Sequence, residues 1–124
     1  MERDLPTKTT IVFHDEKPLS WNVYYAGMHW TKRNAHAARV HALVEKNTQH
    51  LERFTVPVKI TITVFFKGRS YDVDNVECKT WIDGLKKYIL QDDTPEYVRE
   101  FTVRYGGKAS VGRIEIEIEP ISES

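Results

Sequence analysis

Apolar residues recur along this chain with two different periods. Val58, Ile60, Ile62, Val64 and Phe66 alternate with Lys59, Thr61, Thr63 and Phe65, the period of two that marks a strand with one buried face. Pro57 opens this run and Lys67-Gly68-Arg69-Ser70 breaks it. Tyr97, Arg99, Phe101, Val103 and Tyr105 repeat the alternation, and Arg113–Glu119 sets three isoleucines on one side and three glutamates on the other. Thr9–Phe13 reads as a short first strand. Helical spacing takes over in two places. Ala37, Val40, Leu43 and Val44 form a stripe on a helix that Thr31 can cap and that runs toward His50. Cys78, Ile82, Leu85 and Ile89, widened by Trp81 and Tyr88, form a second stripe. This second helix is predicted to begin near Asp74 or Asn75 and to end at Gln91–Pro95. Lys17–Tyr25 and Gly106–Gly112 read as loops.

The predicted order is β-α-β-α-β-β. It describes an α/β (α+β) fold, a single domain over residues 1–124, in which two helices cover one face of a mixed sheet and the last two strands are antiparallel. Cys78 lies on the apolar helix stripe, which points to core packing rather than reactivity.

Composition narrows the function classes. The lone cysteine excludes an internal disulfide, and no Cys/His set has the spacing of a zinc site. No apolar run has the length of a membrane span, and the charged start, Met-Glu-Arg-Asp-Leu-Pro, is unlike a signal peptide. A cytoplasmic protein without a membrane partner is expected. Net charge is zero, which weighs against a polyanion partner until the distribution is considered. Lys32, Arg33, Arg39 and Lys46 cluster in one segment, Lys67 and Arg69 precede a run of aspartates, and Arg104, Lys108 and Arg113 surround Gly106-Gly107. Such segregation can attract nucleic acid locally, although each cluster also fits an ordinary solvated face.

The chemistry concentrates in Asp72-Val73-Asp74-Asn75, followed by Lys79, Asp83 and Asp92-Asp93. Carboxylates gathered without His or Cys suit a hard cation such as Mg²⁺, with Mn²⁺ as a substitute. Asp72 and Asp74, two apart in an extended piece, point the same way and can face one ion. An ion of this kind beside a lysine is equipment for phosphodiester hydrolysis, because the ammonium offsets charge that grows in the transition state. Lys79 and Asp83 are four apart and share a helix face. Simpler roles exist for the same residues: Asp74 or Asn75 as a helix cap, Lys79–Asp83 as an exposed ion pair, and Asp92-Asp93-Thr94-Pro95 as a turn. Tyr24, Tyr25 and Trp30 can stack on bases or anchor their loop on the core.

The ordered set of motifs resembles RusA-type Holliday junction resolvases. Pro18-Leu19-Ser20-Trp21-Asn22-Val23-Tyr24-Tyr25 is similar to the family's opening, and Tyr71-Asp72-Val73-Asp74-Asn75 is similar to its Asp-x-Asp-Asn core. Lys79 with Asp83, Leu90-Gln91-Asp92-Asp93 and the closing strand from Gly112 to Ile118 follow in the same order. Between Asn75 and Lys79 the chain carries one residue more than the family spacing, and between Asp83 and Asp93 one fewer. Pro95-Glu96 replaces the usual hydrophobe-Gln, and Ala26 stands where a basic residue is common.

The resemblance implies a Mg²⁺-dependent endonuclease of bacterial or phage origin that acts as a homodimer and nicks opposed strands of a branched DNA, a four-way junction. It implies Asp72, Asp74 and Asp93 as catalytic, metal-holding carboxylates and Lys79 as the essential cation. Asn75, Asp83 and Asp92 would support them, and Lys67, Arg69, Asn22, Tyr24 and Tyr25 would contact DNA. One difficulty is geometric. A straight helix from 75 to 89 spans roughly 22 Å at about 1.5 Å per residue, and the four residues after it each reach at most about 3.5 Å. Either Gly84 breaks the helix, or a partner subunit supplies Asp93; two-fold symmetry favours the partner. The alternatives are a non-catalytic branched-DNA or partner-binding module, and a phosphohydrolase acting on small nucleotides. The second lacks a phosphate-cradling glycine loop.

Overall fold

A computed structural model describes residues 8–121. Four strands and two helices follow one another as predicted: β1 (Thr9–His14), α1 (Trp30–Thr48), β2 (Val58–Phe66), α2 (Lys79–Tyr88), β3 (Val98–Lys108) and β4 (Arg113–Pro120). They build a single mixed sheet in the order β1-β4-β2-β3. β4 runs antiparallel to both β1 and β2, whereas β2 and β3 are parallel. The first three strands therefore share one direction and the last is inserted against them.

β3 and β4 run in opposite directions, as expected, and β2 lies between them. The alternation of isoleucines explains why β4 takes an interior position. Ile114, Ile116 and Ile118 are buried, and they stand beside Val64, Ile62 and Ile60 of β2 in register. The two strands with the most complete apolar face thus occupy the centre, where burial stabilises most. Val40 and Val44 of α1 and Trp81 and Leu85 of α2 close over this face. The two helices also pack on each other, with Gly84 of α2 against Val44 and His41 of α1. Cys78 is buried in this core, as its place on the stripe required.

Element boundaries differ from the expected ones where non-local contacts intervene. The cap of α1 is His29, whose Nδ1 accepts from the Thr31 backbone N–H, so Thr31 lies within the helix. Asn22–Tyr25, expected as loop, lies in a short wide-turn helix of π type, Asn22–Gly27. β3 continues to Lys108 instead of ending at Tyr105. The largest shift is at α2, which starts at Lys79. Val73–Asn75 is a single tight 3₁₀ turn, and Val76 is extended and bridges to Ser20. α2 then passes through Gly84 without interruption. Its C-terminal end is held by Arg53, whose guanidinium donates to the carbonyls of Lys86, Lys87 and Leu90. A cation at the free carbonyls is the favourable partner for that end of a helix.

The loop after β1 and the loop between β3 and β4 are locked by backbone contact. The Glu16 N–H donates to the Gly112 carbonyl at 3.0 Å. The buried Glu16 carboxylate accepts from Arg39 of α1 at 2.9 Å. A methyl group at Gly112 would lie 2.6 Å from the Glu16 carbonyl oxygen. Gly112→Ala is therefore expected to destabilise the protein by roughly 1–3 kcal/mol, since the backbone must shift to admit it. A lower urea midpoint with unchanged slope would show this.

Candidate functional site

Two segments about fifty residues apart in sequence meet along one seam. The Glu77 N–H donates to the Leu19 carbonyl at 2.7 Å, Ser20 and Val76 form an isolated antiparallel bridge, and the Tyr71 hydroxyl donates to the Pro18 carbonyl. The Pro18–Tyr25 motif and the Tyr71–Asp83 motif thus form one surface. Ser20 also orders its own loop, its Oγ accepting from the Val23 N–H at 3.1 Å.

Asp72 and Asp74 are both exposed and flank Val73 on the tight turn. Asn75 closes that turn by donating its N–H to the Asp72 carbonyl at 2.9 Å. Lys79 opens α2 and pairs with Asp83 at 3.4 Å, both side chains partly exposed. Such a pair adds little stability, but it fixes where the ammonium sits.

Asp92 and Asp93 form a separate group at the far end of α2. Lys86 lies 3.6 Å from Asp92 and 3.5 Å from Asp93. The Asp93 N–H donates to the Asp92 carboxylate at 2.8 Å, and this bond chiefly holds Asp92 below the usual carboxylate range. The two aspartates in turn raise the Lys86 ammonium, Asp93 most strongly. Among the described residues, no three His, Cys, Asp or Glu side chains gather as a metal-holding group. One chain therefore does not bring Asp93 to Asp72 and Asp74.

The donor chemistry nevertheless fits a hard divalent cation. Asp72 and Asp74 offer only oxygen, are open to solvent and make no ion pair among the described residues. Mg²⁺ is commonly held by one or two carboxylates, its remaining positions filled by water and substrate phosphate.

The aromatic residues divide by exposure. Tyr24 is 7% exposed and packs edge-on to Tyr25 and His36, so it belongs to the core rather than to a DNA contact. Tyr25 is 46% exposed and stacks on Trp21 with ring centroids 5.0 Å apart and an interplanar angle of 10°. Arg33 of α1 lies over the Tyr25 ring at 5.7 Å. Partial burial, then the charge of Glu77, raises the Tyr25 phenol, while Lys79 and Arg33 pull it down. The platform therefore stands within electrostatic reach of Lys79. Asn22, Lys67 and Arg69 are exposed, as contacts to DNA require.

Three side chains of this surface were not among the site residues expected from the sequence, although Arg33 was read in a basic cluster and Trp21 within the opening motif. Trp21 and Arg33 complete the platform. Glu77 is 3% exposed, and its carboxylate accepts from the Thr80 N–H at 3.2 Å and from the Thr80 hydroxyl. Burial raises its pKa, and the bonds from Thr80 oppose that rise. Glu77 caps the helix that carries Lys79. Its only sequence signal is an acidic residue three before a threonine at a helix start, a pattern too common to single out.

No protein-family model matches the chain, and no match is found among curated proteins. Among the described residues, no helix is long and apolar enough to cross a membrane.

Proposed function

We propose that this protein is a Mg²⁺-dependent, structure-selective endodeoxyribonuclease of RusA type, a homodimer that resolves four-way DNA junctions by paired symmetric nicks. The observation that carries the reading is the seam between the Pro18–Tyr25 and Tyr71–Asp83 segments. Residues distant in sequence there present two open carboxylates, a lysine ammonium and an aromatic platform on one surface. When bound, Mg²⁺ supplies Lewis acidity and a water of lowered pKa. Asp72 and Asp74 would hold the ion, with Asp93 as a third ligand. Lys79 compensates negative charge on the phosphate, oriented by Asp83 and by the Glu77 cap of α2. Trp21 and Tyr25 offer ring faces to bases at the branch, and Arg33 neutralises a nearby phosphate.

The separation of Asp93 from Asp72 and Asp74 supports a site shared across the dimer. β3 is an edge strand of 11 residues, paired with β2 on one side and with no described strand on the other, with Phe101 and Tyr105 exposed, and an edge of this kind invites strand addition. Antiparallel two-fold pairing about Thr102 sets Glu100 against the partner's Arg104, and Phe101 against the partner's Val103. In that register the start of the partner's β3 lies beside the C-terminal half of β3. There Lys108 donates to the Gly68 carbonyl, and the Val73–Asn75 turn packs on the strand. The partner's Asp93, just ahead of its β3, then approaches Asp74.

The test is incubation with a synthetic four-way junction, a Y-fork and a linear duplex, with and without Mg²⁺. Symmetric nicks confined to the junction and dependent on the ion are expected. Junction binding with no nicking in Mg²⁺ or Mn²⁺ would assign a non-catalytic branched-DNA module instead.

A further inference from the structure

A pocket of about 550 Å³ opens where the loops after β1 and β2 meet the loop between β3 and β4. Its volume lies within the roughly 300–1,000 Å³ of small-molecule sites. Hydrogen bonds hold all three loops. The Glu16 N–H donates to the Gly112 carbonyl at 3.0 Å, and the Ala109 N–H donates to the Phe66 carbonyl at 2.9 Å. The Tyr71 hydroxyl donates to the Pro18 carbonyl, and Lys108 donates to the Gly68 carbonyl at 2.6 Å. Lys17, Lys67 and Arg69 line the cavity within this frame, and none makes a hydrogen bond or ion pair among the described residues. By contrast, Lys8, Arg39, Lys59, Lys79, Lys86 and Arg113 each pair with a carboxylate. The one acid among the lining residues is Asp15.

Positive charge that no neighbour compensates thus collects in one hydrogen-bonded concavity, where low-dielectric walls strengthen its field. A nucleic-acid backbone sets out its charges one per nucleotide along a groove. A cavity bounded by three loops instead suits a short ligand that carries several charges on adjacent phosphates. We propose that this pocket binds a free oligophosphate group, inorganic tripolyphosphate or the tail of a nucleoside triphosphate, and that the bound anion excludes DNA from Lys67 and Arg69. Arg69 offers a planar fork to two phosphate oxygens, and Lys17 and Lys67 act as point charges. Asp15 opposes the anion, and its left-handed backbone at φ 55° is one that asparagine also accepts. The binding needs neither metal nor catalysis. The exclusion rests on the nuclease reading, which assigns Lys67 and Arg69 to DNA.

The test titrates isotope-labelled protein with sodium tripolyphosphate, ATP and sulfate, without divalent metal and at constant ionic strength. Amide shifts at Gly68, Val111 and Gly112 are expected to saturate with tripolyphosphate at a concentration about tenfold below that needed for sulfate. ATP binding as tightly assigns the nucleoside triphosphate as a source, and binding of tripolyphosphate alone assigns the inorganic chain. Lys17→Ala and Arg69→Ala should each weaken tripolyphosphate about tenfold, Asp15→Asn should tighten it about threefold, and Lys46→Ala should leave it unchanged. In metal-free anisotropy, tripolyphosphate should displace a four-way junction, and Lys17→Ala should raise the concentration required about tenfold. Equal affinity for sulfate, shifts that do not saturate, or equal weakening by Lys46→Ala would overturn the site. Saturable binding that leaves the junction bound would overturn the exclusion. Uptake of tripolyphosphate by a protein that binds no junction leaves the pocket standing and removes the nuclease reading, and the exclusion with it.

Discussion

Asp72→Asn and Asp74→Asn are each expected to reduce Mg²⁺-dependent nicking of a four-way junction by roughly 10³-fold or more, while junction affinity stays within a few-fold. Both carboxylates are exposed and take no part in the core or in an ion pair among the described residues, so the fold does not depend on their charge. Loss of one anionic oxygen removes a ligand to a hard cation without changing side-chain size. Fluorescence anisotropy without metal and a gel assay with Mg²⁺ separate binding from cleavage. Wild-type nicking by either variant would exclude that aspartate from the chemistry. A matching fall in affinity would indicate damage to the DNA surface instead.

Mixing two inactive variants should restore activity if Asp93 acts across the dimer. In a dimer of one Asp74→Asn chain and one Asp93→Asn chain, one site collects both substitutions and the other collects neither. After equilibration, half of the dimers are mixed, so about a quarter of the wild-type sites return. Sites built within single chains would give no recovery at any ratio. Nicking of one strand rather than two would accompany recovery, since each mixed dimer holds one competent site. Exchange of charges by Glu100→Arg with Arg104→Glu should preserve the dimer if the β3 edge is the interface, whereas either change alone should weaken it.

Much of the architecture was legible in local pattern. The period of two in Val58–Phe66 and Arg113–Glu119 identified β2 and β4, and the Cys78-Ile82-Leu85-Ile89 stripe identified α2. What pattern cannot supply is which distant segment satisfies a backbone group. Val76 reads as helical, yet its bridge to Ser20 keeps it extended and delays α2 to Lys79. Phe101 and Tyr105 alternate as if they faced a core, yet both rings are exposed on the edge strand β3. Tyr24 and Tyr25 are adjacent and chemically equal in the sequence. Only the wide helical turn at Asn22–Gly27 decides that the first points inward. The candidate site shows the same division. Asp72, Asp74, Lys79 and Asp83 are close in sequence and could be read together. Arg33 comes from α1 to the Trp21–Tyr25 stack, and that meeting could not.

The interior position of β4 carries a consequence for biosynthesis. Among the described strands, β1 has β4 as its only neighbour. While a growing polypeptide still lacks Arg113–Pro120, β1 therefore has no ladder to join and one flank of β2 stands open. Assembly must wait for that stretch to leave the ribosome, and it relies on long-range contacts of the kind that form slowly. Ribosome-held intermediates would expose the isoleucine-rich centre to chaperones, and a stop codon ahead of Arg113 would yield aggregate rather than a weakened protein.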